Sequence, residues 1–450
     1  MAVAACLLHA VGAAAQTNER LYEGLDFRFV TPGARAVGMG VTFVGVADDA
    51  TAAASNPAGL SNLRRPEFSV EVSASESSQS YLVGNQQNGR PCDVPCDRFQ
   101  KFGRTSWSLP SFASVAVPAG DFTLAAFMNV QQRFTRRFDL EPRYVQARAT
   151  PFGTLGPSGQ TAESGRLDVS VRNYGLGGAW VARPWLSVGG TLVVSHLDLE
   201  SRGENIEDGI LRSRTTTAAS GLRPSVFAGA LARPTRHTTV GLAFYRGTTF
   251  PMRTEIAGTF GNPPGASPPD RCLNQSFQRP ERQCEPHPAL ETDYVVPSRL
   301  AVGGAFRASA ALTLAGEVAR VGYSSLVTDH FQIVDFRFAG GLEKDNFFVK
   351  DVREYHVGAE YRHRTGEHVV ALRAGAFSDP PHGLRFKVTN TSSAQAVQNF
   401  VFNTNARQTT RIGATVGLGV TFGNRLQTDA AVSLVPGASR LVVSVVRRVP

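Results

Sequence analysis

The sequence predicts an all-β chain: a transmembrane up-and-down antiparallel β-barrel of about fourteen strands, with an N-terminal segment plugging its lumen. Three observations carry this expectation. Apolar and polar residues alternate at period two, long and short connectors alternate along the chain, and about fifty non-alternating residues precede the first strand.

The alternation is plain from Leu186, where Leu186, Val188, Gly190, Leu192 and Val194 are apolar while Ser187, Gly189, Thr191 and Ser195 are small or polar, interrupted by Val193. It recurs at Leu312, Leu314 and Val318 against Thr313 and Glu317, and at Tyr355, Val357, Ala359 and Tyr361 against Glu354, His356, Glu360 and Arg362. Near the end of the chain Ile412, Val416, Leu418, Val420 and Phe422 oppose Arg411, Thr415 and Thr421. One face of each strand is greasy and the other wet, as in a half-buried sheet.

Fourteen spans follow: 66–75, 106–117, 121–133, 166–182, 185–198, 222–233, 237–259, 293–307, 310–323, 352–364, 367–377, 409–423, 425–435 and 439–448. Long polar connectors lie around 76–105, 134–165, 199–221, 260–292, 324–351 and 378–408. Tight turns fall at Ala119-Gly120, Arg183-Pro184, Pro234 to Arg236, Ala308-Ser309, Thr365-Gly366 and Asn424. A soluble sandwich also alternates in polarity but has no reason to alternate loop length, whereas an outer-membrane barrel has long loops outside and short turns in the periplasm. Pro436-Gly437-Ala438 breaks the rule once. An even strand number puts both termini on the periplasmic side of the outer membrane of a Gram-negative-type bacterium.

Residues 16–65 contain Phe27, Phe29, Val37, Phe43, Val44 and Val46 among glycines and the acidic pair Asp48-Asp49. A fourteen-strand bore is wider than its own side chains fill. A separate soluble domain is the alternative, but a segment this short and rich in Gly and Ala would bury little core by itself, which favours a plug. Before it, Ala2 to Ala15 is apolar and ends in Ala13-Ala14-Ala15, a secretory cleavage pattern. No Lys or Arg precedes that stretch, so a truncated start is one expectation, and Val3-Ala4-Ala5-Cys6 is read as a chance match to a lipoprotein box. The expected division is a signal peptide at 1–15, the plug at 16–65 and the barrel at 66–450.

Composition narrows the classes. At 450 residues and 48.2 kDa, with 42% hydrophobic residues and a mean hydropathy of −0.13, the chain has no helical span of the kind that needs about 20 apolar residues. The net charge is +9, but basic residues never run longer than pairs such as Arg136-Arg137, so no nucleic-acid patch exists. Only four of the 46 cations are Lys. Scattered Arg suits the phosphates of membrane lipid and lipopolysaccharide. Cys92, Cys96, Cys272 and Cys284 form two local pairs, both in connectors placed outside. Disulfides are preferred there over zinc, whose modules their spacing does not fit.

No enzyme is expected. Ser195-His196 with Asp198 suggests a hydrolase, but consecutive strand residues point to opposite faces and cannot meet as nucleophile and base. Gly38-Met39-Gly40 lacks a third Gly, since Phe43 occupies that position, so no dinucleotide site and no cofactor follows. Asp48-Asp49 reads as a turn or a salt bridge more readily than a metal site, and His356 and His363 read as lumen-facing polar residues. Arg299, Glu317, Glu354, Glu360, Arg373 and Arg411 lie on polar strand faces, so Arg–carboxylate pairs would hold the plug, and one or two Arg would receive a ligand carboxylate.

Gly33 to Gly40, then Phe43 to Ala50 and Asn56-Pro57-Ala58-Gly59-Leu60, resemble the N-terminal hatch of the FadL/TodX family of outer-membrane transport proteins. Weaker echoes are Val296 to Gly303 and Glu354 to Tyr361 with Leu372 to Gly375. The resemblance implies a hatch-plugged barrel that passively takes up hydrophobic small molecules, such as long-chain fatty acids or aromatic hydrocarbons. Its hatch motif here is Gly38, Gly40, Asp48, Asp49, Asn56, Pro57 and Ala58, with Phe27, Phe29, Phe43 and Val44 as candidate ligand contacts. It also implies a lateral exit at a kinked third strand, yet Asp121 to Phe134 contains no Gly or Pro to announce a kink. The end, Arg447-Arg448-Val449-Pro450, departs from the terminal aromatic that engages the outer-membrane assembly machinery. Relatives resembling PorV share the hatch pattern and serve protein secretion or surface attachment, which is the second functional expectation.

Overall fold

The computed structural model describes residues 27–83, 86–87, 90–91, 99–145, 148–150, 153–155, 159–207, 210–260, 271–272, 290–327, 347–389, 399, 402–403 and 409–449. Fourteen antiparallel strands close into one barrel. They are β1 (Glu67–Val83), β2 (Phe99–Ala119), β3 (Phe122–Val145), β4 (Gly159–Arg183), β5 (Leu186–Glu207) and β6 (Ile210–Ala232). β7 comprises Thr238–Tyr245 and Thr248–Phe260, and β8 comprises Leu290–Val296 and Arg299–Arg307. The rest are β9 (Leu312–Val321), β10 (Val352–Thr365), β11 (His368–Asp379), β12 (Arg411–Phe422), β13 (Leu426–Val435) and β14 (Ala438–Arg448). Each pairs with its neighbour in sequence, and β14 returns to β1 from Glu67↔Arg448 to Ser77↔Ala438, so the main sheet has no open end.

The greasy faces point outward. Phe68, Val70, Leu124, Leu176, Leu192, Leu242, Val302, Val357, Leu372, Val416 and Leu441 are all exposed, and Leu192 reaches 74%. Facing them across the wall, Ser69, Glu71, Thr191, Ser195, Glu317, Glu360, Arg373 and Thr415 are buried. At the turn end the belt finishes in exposed rings, Phe122, Trp180, Trp185, Phe306, Tyr361 and Phe422, with Phe122 stacked on Trp180 at 6.2 Å between centroids. Such an aromatic girdle marks a membrane–water boundary.

Two of the expected loops are mostly strand. β3 and β4 stay paired out to Val145↔Gly159, and β5 and β6 out to Glu207↔Ile210, so the connectors placed at 134–165 and 199–221 are tall hairpins. The reason is a reversal of polarity along each strand. On β5 the outward row Leu192, Val194 gives way to His196, Asp198, Glu200 and Arg202, while the inward row becomes apolar at Leu197 and Leu199, both buried. The outward apolar stretch, Leu186 to Val194, matches the roughly 9–11 residues a tilted strand needs to cross a bilayer. Beyond it the wall continues as a water-exposed barrel with an oily inside.

Residues 27–66 lie within the wall. They form two short helices, α1 (Ala34–Gly38) and α2 (Ala52–Ser55), and a 3-10 turn, Pro57–Asn62, capped by the Asn56 side chain, which accepts the Ala58 N–H. Ala34, Ala36, Val37, Phe43, Ala52, Ala53 and Leu60 are buried. So short a segment builds its core against the barrel's inner face.

Candidate functional site

Four inward glutamates of the wall seize the N-terminal segment. Glu317 on β9 accepts the N–H groups of Phe43 and Val44, both at 3.1 Å, and takes Arg299 at 2.8 Å. Glu67 accepts the Ala50 N–H at 3.1 Å and is paired with Arg448 at 2.7 Å. Glu71 accepts the Gly33 N–H and lies 3.4 Å from Arg440, which also donates to the Thr31 carbonyl at 3.0 Å. Glu360 receives Arg35 of α1 at 2.8 and 3.0 Å and Arg373 at 2.7 Å, and Arg373 continues to Asp429 at 2.8 Å. Ionised hydrogen bonds of this kind are about twice as strong as neutral ones, and each of these buried charges has an opposite partner or N–H donors.

Glycine makes the close contacts possible. A Cβ on Gly358 would lie 2.1 Å from the Met39 carbonyl oxygen, and one on the paired Gly375 would lie 2.2 Å from the Gly40 nitrogen. Gly40 itself has φ 70°, a left-handed conformation that suits glycine. Beside it the Thr415 hydroxyl accepts the Gly40 N–H at 2.9 Å and donates to the Gly38 carbonyl at 3.0 Å. On the far wall a Cβ on Gly229 would come within 2.1 Å of Asn56 Oδ1, while the Asn56 amide donates to the carbonyls of Val44 (2.8 Å) and Ala230 (3.2 Å). Pro57 and Ala58 rest against Gly189.

The acidic pair divides its work. Asp48 pairs with Arg35; Asp49, 3% exposed, accepts the Thr51 N–H at 2.9 Å and lies 3.9 Å from Arg35. Replacing both, Asp48→Asn with Asp49→Asn, should loosen the Arg35 anchor and raise conductance in planar bilayers; an unchanged trace would contradict the anchor. Burial lifts the Asp49 carboxyl above its ordinary range. Its contribution to stability is therefore full below the ordinary carboxylate range and lost as pH rises through the lifted value, and Asp49→Asn should remove that dependence.

On the loop side of the segment lies a cavity of about 350 Å³. Phe29, Phe134, Tyr323 and Phe377 line it, with Arg28 and Arg411 both on Asp379, at 2.8 and 2.6 Å. Phe27 is buried beside Phe134 and Tyr294. Further up, the inner wall is oily through Leu167, Val169, Val171, Leu197, Phe250 and Met252, all buried.

A seam between β2 and β3 interrupts the wall. β2 and β3 pair only from Ala119↔Phe122 to Phe112↔Asn129; past that point β2 stays with β1 and β3 with β4. Each strand carries a bulge where they part. Ser111 is left over between the pairs Glu71↔Phe112 and Val72↔Pro110, and Gln131 between Val130↔Arg172 and Gln132↔Val171. A bulge can bend a strand without Gly or Pro, so the inserted Gln131 is a feature of β3 that no Gly or Pro announces. The N-terminal segment crosses here: Val30 N–H donates to the Gln131 carbonyl at 2.8 Å, and Tyr245 donates to the Gln131 side chain at 3.1 Å. Pro110 on β2 was the readable sign, because proline in a sheet belongs at edges and bulges.

Arg299, Glu317, Glu354, Glu360, Arg373 and Arg411 all face inward, as their alternation predicts, and so does His356, whose Nδ1 lies 3.0 Å from the Gly40 carbonyl. His363 does not: it shares the outward parity of Tyr361 and is exposed, because only even positions of β10 point inward. Phe43 and Val44 are buried against the wall and do not line the cavity, whereas Phe29 does. Arg35, Glu67, Glu71, Asp429 and the two bulges escaped the sequence reading. Cys92, Cys96 and Cys284 lie outside the described residues, and Cys272 contributes a backbone pair with Thr259.

A closed fourteen-strand barrel with an outward apolar belt and an aromatic girdle is a transmembrane β-barrel in fold. In fold it is similar to solved toluene transporters and to a FadL homologue. The toluene transporter TbuX of Ralstonia pickettii aligns at a TM-score of 0.55 and 14% identity, covering 95% of this chain and 99% of that one. A FadL homologue of Pseudomonas aeruginosa gives 0.59 and 12%, covering 94% and 100%. The toluene transporter TodX of Pseudomonas putida gives 0.52 and 13%, covering 94% and 98%. No family model and no curated protein matches the sequence. At these identities the likeness establishes the fold.

Proposed function

We propose that this chain is an outer-membrane channel for passive uptake of hydrophobic compounds, long-chain fatty acids or aromatic hydrocarbons, with residues 16–65 as its hatch. The observation that supports it most is the oily inner wall above the segment, which leads down to a cavity and to the seam between β2 and β3. An apolar solute crosses a layer of polar headgroups poorly, and an apolar-lined interior lowers that barrier by about 25 cal/mol for each Å² removed from water. The solute enters among the loops, rests above the hatch and leaves sideways into the bilayer. Two of the similar structures are described as toluene transporters, which favours this class of cargo.

Deletion of the gene tests it, with uptake of radiolabelled oleate and toluene measured beside the surface proteome. Lost uptake with a normal surface proteome is expected. Normal uptake with missing surface proteins would overturn the proposal in favour of a secretion role.

A further inference from the structure

We infer that the outward face of β9 and β10, at the loop-side margin of the apolar belt, is a binding site for the phosphate of an anionic lipid headgroup. The inference rests on the membrane placement proposed above. On five strands the first outward residue past the belt is basic: Arg172 follows Tyr174, His196 follows Val194, Arg246 follows Phe244, Arg320 follows Val318 and Arg353 follows Tyr355.

At β9 and β10 this margin concentrates charge. Arg320 and Arg353 are direct cross-strand partners, one step beyond the outward pair Val318↔Tyr355. Like charges placed opposite each other on a sheet repel, so the pair costs stability unless an anion joins them. One carboxylate is near: Asp351 lies 3.2 Å from Arg320 and also accepts the Ser324 N–H at 3.0 Å. Among the described residues Arg353 has no ion pair or side-chain hydrogen bond, and Lys350 adds a third exposed cation beside it. Arg320 itself is 68% exposed. Across β8, Leu300 is the partner of both Arg320 and Phe244, which places Arg246 close to the same level.

Three features select a lipid phosphate over another anion. The planar guanidinium fork matches phosphate oxygens and can bind them two at a time. The site faces away from the lumen, so an uptake substrate does not meet it. The exposed apolar residues below and beside it, Val318, Tyr355 and Leu300, would lie along the acyl chains of the same molecule.

Purified protein in detergent, studied by native mass spectrometry with bisphosphorylated lipid A, provides the test. Wild type should retain lipid A, and Arg320→Gln with Arg353→Gln should bind it about tenfold more weakly, the loss expected for one charged hydrogen-bonded contact. Lipid A stripped of its phosphates should show the same loss on wild type. Arg425→Gln with Arg447→Gln, both exposed at the turn-side margin, should bind as wild type does and reports on general charge. Equal retention by the β9–β10 variant would overturn the site. Displacement by inorganic phosphate at matched concentration would overturn the lipid assignment and leave a free-anion site. A chain that stays monodisperse without detergent would instead refute the membrane placement itself.

Discussion

Replacing Arg373 by Met is expected to cost the barrel about 3–5 kcal/mol, the usual loss when one partner of a buried ion pair is removed. The guanidinium is 2% exposed and lies between Glu360 at 2.7 Å and Asp429 at 2.8 Å, each of which is also 2% exposed. Without it Asp429 keeps only the Gln427 amide, at 2.7 Å, and Glu360 is left with Arg35. Urea titration in lipid vesicles, followed by the fluorescence of Trp107, Trp180 and Trp185, measures the loss. Adding Glu360→Gln and Asp429→Asn to Arg373→Met should recover part of it, since no unpaired charge then remains. A single-variant loss under about 1 kcal/mol would show that water reaches this cluster.

Gly358→Val with Gly375→Val is expected to drive the N-terminal segment from its seat and give discrete openings in planar bilayers. Each new Cβ would fall near 2 Å from segment backbone, at Met39 O and Gly40 N, and neither neighbour is a flexible side-chain end. Overpacking of this kind usually costs about 1–3 kcal/mol per site. The wall can keep its pairing, because valine suits a strand, so relief comes from displacing the segment. Gly190→Val is the control: its Cβ would be 3.9 Å from the Phe227 carbonyl oxygen and should leave the trace unchanged. A quiet trace from the double variant would mean that the segment does not block the bore.

The strand order, the turn-side ends and the inward parity of the six charged lumen residues were legible in the sequence. Within the membrane one face must be oily and the other is wet, so period two survives. The loop-side ends were not legible. On β5 the apolar row crosses from even to odd positions between Val194 and Leu197, and a scan for a constant greasy face stops where the strand does not. Glu317 and Glu360 stood out as charges on otherwise simple strands, but their N–H and Arg35 partners come from residues more than 270 positions away. The seam was hidden because a bulge is one surplus residue, visible only once both neighbours of a strand are known.

The segment's seats are discrete. Gly358 and Gly375 receive Gly40, Gly229 receives Asn56, and Gly189 receives Pro57, while larger side chains such as Thr415 and Glu317 stand between them and hold its backbone by hydrogen bonds. If this segment works as the proposed hatch, such notches would oppose swivelling or sliding, since a rotation would carry its backbone off a notch and onto a side chain. Lifting that releases one notch at a time would then be the lower-cost route.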